Sequence, residues 1–285
     1  MTARTVAVLG AGVMGAGIAH ACVTAGWATA LHDADAAARD RGLARVRALL
    51  DGGVARGKLE PAAAVAAAGR LRPAASIREA CRGADLVIEA VVEDADVKRE
   101  VLAQASDWAA TDALLATNTS ALPVGGLAAD LPRPGRLVGL HFFNPVHGMR
   151  LVEIVVHDAV DGETLAEARA VVAALGKEAI VVRDTPGFAS SRLGIVLGLE
   201  AIRMLEQGVA SAADIDQAMV LGYHHPVGPL RLTDLVGLDV RLRVADILLR
   251  ELGGEQYRAP DLLRRLVAEG RLGRKTGEGF YHWDE

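Results

Sequence analysis

Short β-branched apolar runs alternate with longer Ala-rich stretches through the first 180 residues. The pattern predicts strands at Thr5–Leu9, Ala28–His32, Leu86–Glu89, Leu114–Thr117, Leu137–His141, Leu151–Val156 and Ala179–Val182. Between them it predicts helices over Val13–Ala25, Ala36–Leu50, Pro61–Ala68 and Asp96–Ser106. Strands separated by helix-length segments imply right-handed crossovers and a largely parallel sheet. The late strands follow each other closely and are expected to run antiparallel at one edge. After Arg183 the pattern turns helical. Asp184-Thr185-Pro186-Gly187 reads as a turn and helix start, and Ser211 to Asp214 as an N-cap. Gly222, Gly237 and Gly253-Gly254 punctuate the later helices. The expectation is an α/β domain with a mostly parallel sheet over residues 1–183, then a smaller all-α C-terminal domain over 184–285.

Composition narrows the function classes. The chain has 285 residues, 51% of them hydrophobic and 24% charged, which excludes a disordered chain. A net charge of -5 argues against bulk nucleic-acid binding, which needs a basic face. Cys22 and Cys81 form no disulfide framework and lack metal-ligand spacing, so a reducing, cytoplasmic setting without a bound metal is expected. The stretch from Val6 to Leu31 is apolar enough to suggest a membrane span. Its glycines and His20 make it a poor one, and no membrane association is expected. The cations are uneven, with 27 Arg and only 4 Lys.

The first chemical motif is Gly10-Ala-Gly12-Val-Met14-Gly15, which follows the first predicted strand and opens the first helix. In a Rossmann-type dinucleotide site Gly10 makes the tight turn. Gly12 lets the backbone approach a pyrophosphate, and Gly15 allows close helix–strand packing. A chain with 31 glycines produces such triplets by chance, so placement carries the inference. Asp33 closes the second strand, where a carboxylate can bond both ribose hydroxyls; its alternative role is N-cap of the next helix. A carboxylate there repels a ribose phosphate, which favours NAD over NADP.

A second constellation joins Thr117-Asn118-Thr119-Ser120, after one strand, to His141-Phe-Phe-Asn144-Pro145, after the next. Ligands of open α/β sheets collect at the carboxyl ends of strands. An imidazole there can take a hydroxyl proton while hydride leaves the same carbon, and works best with its other nitrogen held by a carboxylate. Glu153, in the following strand, is placed to return beside His141. The other histidines read as structural.

These segments carry a resemblance. The chain resembles the short 3-hydroxyacyl-CoA dehydrogenases, close to bacterial 3-hydroxybutyryl-CoA dehydrogenases. The matching stretches also include Val87-Ile-Glu-Ala-Val-Val-Glu93, Leu151-Val-Glu-Ile154, Asp184-Thr-Pro-Gly-Phe188 and Gly273-Arg-Lys-Thr-Gly-Glu-Gly-Phe-Tyr281. The resemblance implies that His141 is the catalytic base, that Glu153 orients it, and that Ser120 contacts the substrate hydroxyl or the cofactor. It groups Glu93, Lys98, Lys275, Met14 and Asn118 with the NAD-binding residues. It sets Asn144 and Ser191 against the substrate, and Arg56 and Lys58 near the CoA phosphates. It also implies an acyl-CoA substrate and a homodimer formed through the C-terminal domain.

One position departs from the family pattern. Ser191 stands where the family has an asparagine expected to donate to the acyl group. A serine hydroxyl still donates, but it is shorter and rotates. The expected reaction is reversible NAD-dependent oxidation of a short-chain (S)-3-hydroxyacyl-CoA to the 3-oxoacyl-CoA. Two rivals stand beside it: the same hydride chemistry on a carrier-protein-bound or free hydroxy acid, and a dinucleotide-binding protein without catalysis.

Overall fold

Runs of Val, Ile, Leu and Ala form the central strands, which are buried on both faces, so neither face needs a polar alternate. The computed structural model describes residues 4–283 in two units, one ending at Asp184 and the next beginning at Thr185. In the first unit eight strands form one sheet: β1 (Thr5–Leu9), β2 (Ala28–His32), β3 (Leu71–Ala74), β4 (Leu86–Glu89), β5 (Leu114–Thr117), β6 (Leu137–Phe142), β7 (Leu151–Val156) and β8 (Glu178–Arg183). Their order is β3-β2-β1-β4-β5-β6-β7-β8. The crossings are α1 (Val13–Thr24), α2 (Ala36–Ala55), α3 (Pro61–Ala68), α4 (Ile77–Cys81), α5 (Ala95–Trp108), α6 (Val124–Ala128) and α7 (Gly162–Ala174). Reversal of strand order on either side of β1 opens the crevice in which such sheets bind ligands.

Three differences from the sequence expectation have physical reasons. β3 reads Leu-Arg-Pro-Ala, and Pro73 cannot donate to a ladder; it is tolerated because β3 is an edge strand. β7 runs antiparallel to β6 as expected of the late strands, but β8 is parallel to β7, because α7 carries the chain back between them. α2 continues five residues past Leu50, through Gly52 and Gly53. Its N-cap is Asp35, whose side chain accepts from the Ala37 amide, so Asp33 is not the cap.

The second unit consists of α8 (Ser190–Glu206), α9 (Ala212–Tyr223), α10 (Pro229–Val236), α11 (Leu238–Leu252) and α12 (Asp261–Ala268), with short 3-10 turns between and after them. Its core joins Ile195, Leu199 and Ile202 of α8 to Leu230, Leu238, Leu248 and Leu263. Ser211 caps α9 by accepting from the Asp214 amide. Gly237 and Gly253 end their helices with positive φ, whereas Gly222 lies inside α9 and the left-handed cap falls on His224. The terminal stretch is pinned by Asp234, 1% exposed, which accepts from the Phe280 and Tyr281 amides and from the Trp283 indole N–H. No described helix is long and apolar enough to cross a membrane.

Asp234→Ala orphans three donors at once. We expect a loss of roughly 3 kcal/mol or more from the second unit, read as a lower urea midpoint and early proteolysis at the C-terminal end.

Candidate active site

The carboxyl ends of β1, β2, β4, β5 and β6 lie along one edge of the sheet, so the loops that follow them converge. After β1, Gly10 has φ of +101°, and a methyl group there would collide with the Ala90 carbonyl. A methyl at Gly15 would collide with the Gly10 carbonyl, so α1 packs directly on the turn. Gly12 differs: nothing lies within 4 Å of where its Cβ would stand. Gly12 is also the N-cap of α1, and no side chain caps that helix. A cavity of about 480 Å³ opens here, lined by Gly10, Gly12, Met14, His32, Asp33 and Val91 among others. An uncapped helix start, a backbone stripped of side chain and a carboxylate at the far rim suit a dinucleotide. Asp33 is held for that position, with one oxygen accepting from the Ala11 amide at 2.8 Å and the other from the Asp35 amide at 3.0 Å. A larger cavity of about 550 Å³ between α2 and α3, lined by Leu50, Val54, Ala64 and Val65, lies away from the strand ends.

Beyond β4 a buried ionic network runs under the loops. Lys98, 1% exposed, donates to Glu89 Oε1 at 2.7 Å and pairs with Glu93 Oε2 at 3.2 Å. Glu89 is fully buried. Its Oε1 also accepts from the Val91 amide and its Oε2 from the Thr117 hydroxyl. Glu93 Oε1 accepts from the Thr119 hydroxyl at 2.5 Å and from the Ser120 amide at 2.8 Å, with the Ser120 hydroxyl at 3.3 Å. Glu93 and Lys98 are therefore brought together, but the ammonium is enclosed by the protein. Glu89, given no role from sequence, is the centre of the network. Its one signal was a carboxylate ending an otherwise apolar strand.

His141 and Glu153 face each other across the antiparallel rung of β6 and β7. His141 Nδ1 lies 2.7 Å from Glu153 Oε2; the histidine is 7% exposed and the glutamate 0%. A carboxylate with no exposure accepts from Nδ1–H, which fixes the tautomer. The Asn118 carbonyl oxygen accepts from the Phe142 amide at 2.9 Å, tying the β5 loop to the strand that carries His141. Asn144 is exposed in the turn after β6. Lys177 donates to the Val146 and Met149 carbonyls, which anchors that turn.

The remaining expected residues lie on other elements. Arg56 and Lys58 are exposed in the turn between α2 and α3. In the second unit Ser191 is half-buried in the first turn of α8. Lys275 donates to Asp239 Oδ1 at 2.5 Å and is 46% exposed.

Burial alone would raise the Glu93 pKa. The Lys98 ammonium, the Thr119 hydroxyl and the Ser120 amide outweigh it and hold Glu93 below the usual glutamate range.

Comparison with known proteins agrees along the whole chain. Residues 5–185 match the family model described as 3-hydroxyacyl-CoA dehydrogenase, NAD binding domain; residues 187–283 match 3-hydroxyacyl-CoA dehydrogenase, C-terminal domain. The probable 3-hydroxybutyryl-CoA dehydrogenase of Bacillus subtilis is 38% identical over 285 residues, covering 100% of this chain and 99% of its own. The 3-hydroxybutyryl-CoA dehydrogenase of Mycobacterium tuberculosis (strain H37Rv) is 40% identical over 281 residues, covering 98% of each. The crystal structure of (S)-3-hydroxybutyryl-CoA dehydrogenase PaaH1 from Ralstonia eutropha superposes with a TM-score of 0.94 at 39% identity, over 100% of both chains.

Two outcomes check the network. Glu89→Ala leaves Lys98 buried with half its pairing, and should cost about 3–5 kcal/mol in chemical unfolding; the Glu89→Leu/Lys98→Met double variant should recover much of that loss. The depressed Glu93 carboxyl adds stability that is complete above the unfolded glutamate value of about 4.3 and lost as pH falls through its lower folded value. Glu93→Gln should therefore flatten the acid limb of the stability–pH curve, and an unchanged limb would assign it to other carboxylates.

Proposed function

The chain belongs to the 3-hydroxyacyl-CoA dehydrogenase family of NAD-dependent oxidoreductases, and from that premise we propose that it interconverts a short-chain (S)-3-hydroxyacyl-CoA and the 3-oxoacyl-CoA. The related enzymes named for 3-hydroxybutyryl-CoA make the four-carbon acyl group the first substrate to consider. The observation that carries the reading is the buried His141–Glu153 pair at 2.7 Å beside the loops that follow β4 and β5.

NAD, when bound, supplies the acceptor for the hydride that leaves C3. Gly10, Gly12, Met14, Gly15 and Asp33 are the residues to hold its adenosine and pyrophosphate, through the uncapped start of α1 and the carboxylate at the cavity rim. His141 does the acid–base work. With Nδ1–H donated to Glu153, Nε2 accepts the 3-hydroxyl proton during oxidation and returns it during reduction. The imidazolium formed in between is stabilised by the Glu153 carboxylate, which cannot be screened by water because it has no exposure. Ser120 orients the 3-hydroxyl, and Glu93 fixes Ser120 through both its amide and its hydroxyl. Lys98 acts one step further back, by holding Glu93 in place and ionised. Asn118 keeps the two catalytic loops in register, and Asn144 and Ser191 meet the acyl group. Arg56 and Lys58 offer cations to the CoA phosphates, and Lys275, steadied by Asp239, offers one to the cofactor. We place the enzyme in the cytoplasm, as a dimer of identical subunits joined through the helical domain.

The test is a thioester panel followed by NADH absorbance. Wild type should oxidise (S)-3-hydroxybutyryl-CoA, and His141→Gln should lower kcat by roughly 10³-fold or more while NAD still binds. Near wild-type turnover by that variant would remove His141 as the base. Activity on carrier-protein thioesters or free hydroxy acids, with none on any CoA ester, would move the substrate class to the rival reading.

A further inference from the structure

The cavity assigned to NAD has aliphatic walls. Ile77, Val91, Val97 and Val101 line it beside the glycine turn, and only His32 and Asp33 bring polar side chains to it. Asp33 already accepts from the Ala11 and Asp35 amides and is the residue to hold the ribose. One polar side chain is left in an aliphatic slot.

The chemistry of that side chain is fixed from behind. His32 ends β2, one residue before Asp33, and pairs with Ala74 of β3 in the parallel ladder. The ring is 8% exposed, and its Nδ1 lies 3.1 Å from the Ala74 carbonyl oxygen. A carbonyl only accepts, so Nδ1 carries the proton and donates it. Nε2 of the neutral ring is then an acceptor and nothing else. It has no partner within the described chain, yet it is not shut off from solvent. Its lone pair therefore opens where the ring does, into the cavity. An acceptor set among aliphatic walls adds nothing to packing and costs its desolvation unless a donor meets it.

We propose that His32 determines specificity for the cofactor's base, its Nε2 accepting an N–H of the adenine 6-amino group. The inference rests on this cavity being the NAD site. Aliphatic walls suit the faces of a planar purine. His32 and Asp33 are consecutive, so the residue for the base and the residue for its ribose leave the same strand end. The 6-amino group is the donor on that edge of adenine, where the neighbouring ring nitrogen accepts, so an acceptor-only nitrogen singles it out. A purine with an oxo group at position 6 would set one lone pair against another. The same residue therefore rejects hypoxanthine and guanine.

The experiment measures Kd by titration calorimetry, without substrate, for NAD and for its analogue with hypoxanthine in place of adenine. Wild type should bind NAD roughly 10-fold more tightly, the range of one hydrogen bond whose loss leaves an acceptor unmet. His32→Asn keeps an amide N–H for the Ala74 carbonyl but has no atom that reaches as far as Nε2. It should bind NAD about 10-fold more weakly and the analogue no worse than wild type does, which brings the ratio near one. His32→Leu removes both nitrogens, should give the same ratio, and serves if the asparagine variant does not fold. A wild-type ratio near one, or a ratio unmoved in the variants, overturns the proposal. So does an equal loss of affinity for both dinucleotides, because His32 then only ties β2 to β3 through Ala74. Equal binding of the two by wild type removes this inference alone. Binding of neither removes the cofactor site assigned to the cavity and this inference with it.

Discussion

A carboxylate taken wholly out of water must be given donors where it stands, and three such groups organise this chain. Glu89 and Glu153 have no exposure and Asp234 has 1%. Glu89 draws the β4 loop, the end of β5 and the first turn of α5 to one point through Val91, Thr117 and Lys98. Glu153 fixes His141 across one rung of the sheet. Asp234 gathers the Phe280 and Tyr281 amides and the Trp283 indole. In each case the burial that makes the charge costly also makes its hydrogen bonds strong and directional, because the local dielectric is low. The charges thus act as positioning devices, and the loops around them inherit their precision.

The same principle separates what the sequence made legible from what it did not. Strands buried on both faces announce themselves as apolar runs, and all the strands so predicted are present, with ends shifted by a residue at β6 and β8. β3 escaped because its Arg-Pro pair is compatible only with an edge, and edge position is a property of the assembled sheet. His141 and Glu153 could be paired from strand spacing alone, since an antiparallel turn returns one opposite the other. Glu89 could not. A glutamate ending an apolar strand looks like the first polar residue of a loop until Lys98, nine residues on, is folded back over it. Asp33 was ambiguous between ribose contact and helix cap; Asp35 fills the cap, which removes that alternative.

Scarcity of lysine acquires a physical meaning here. Coding drift toward arginine leaves four lysines, and three of them make close polar contacts. Lys98 sits with a single ammonium between two carboxylates, Lys177 bonds two carbonyls of one turn, and Lys275 meets one oxygen of Asp239. Each uses a compact, rotatable donor, and the first is 1% exposed between its two carboxylates. Lys58, exposed in a turn, shows no such constraint.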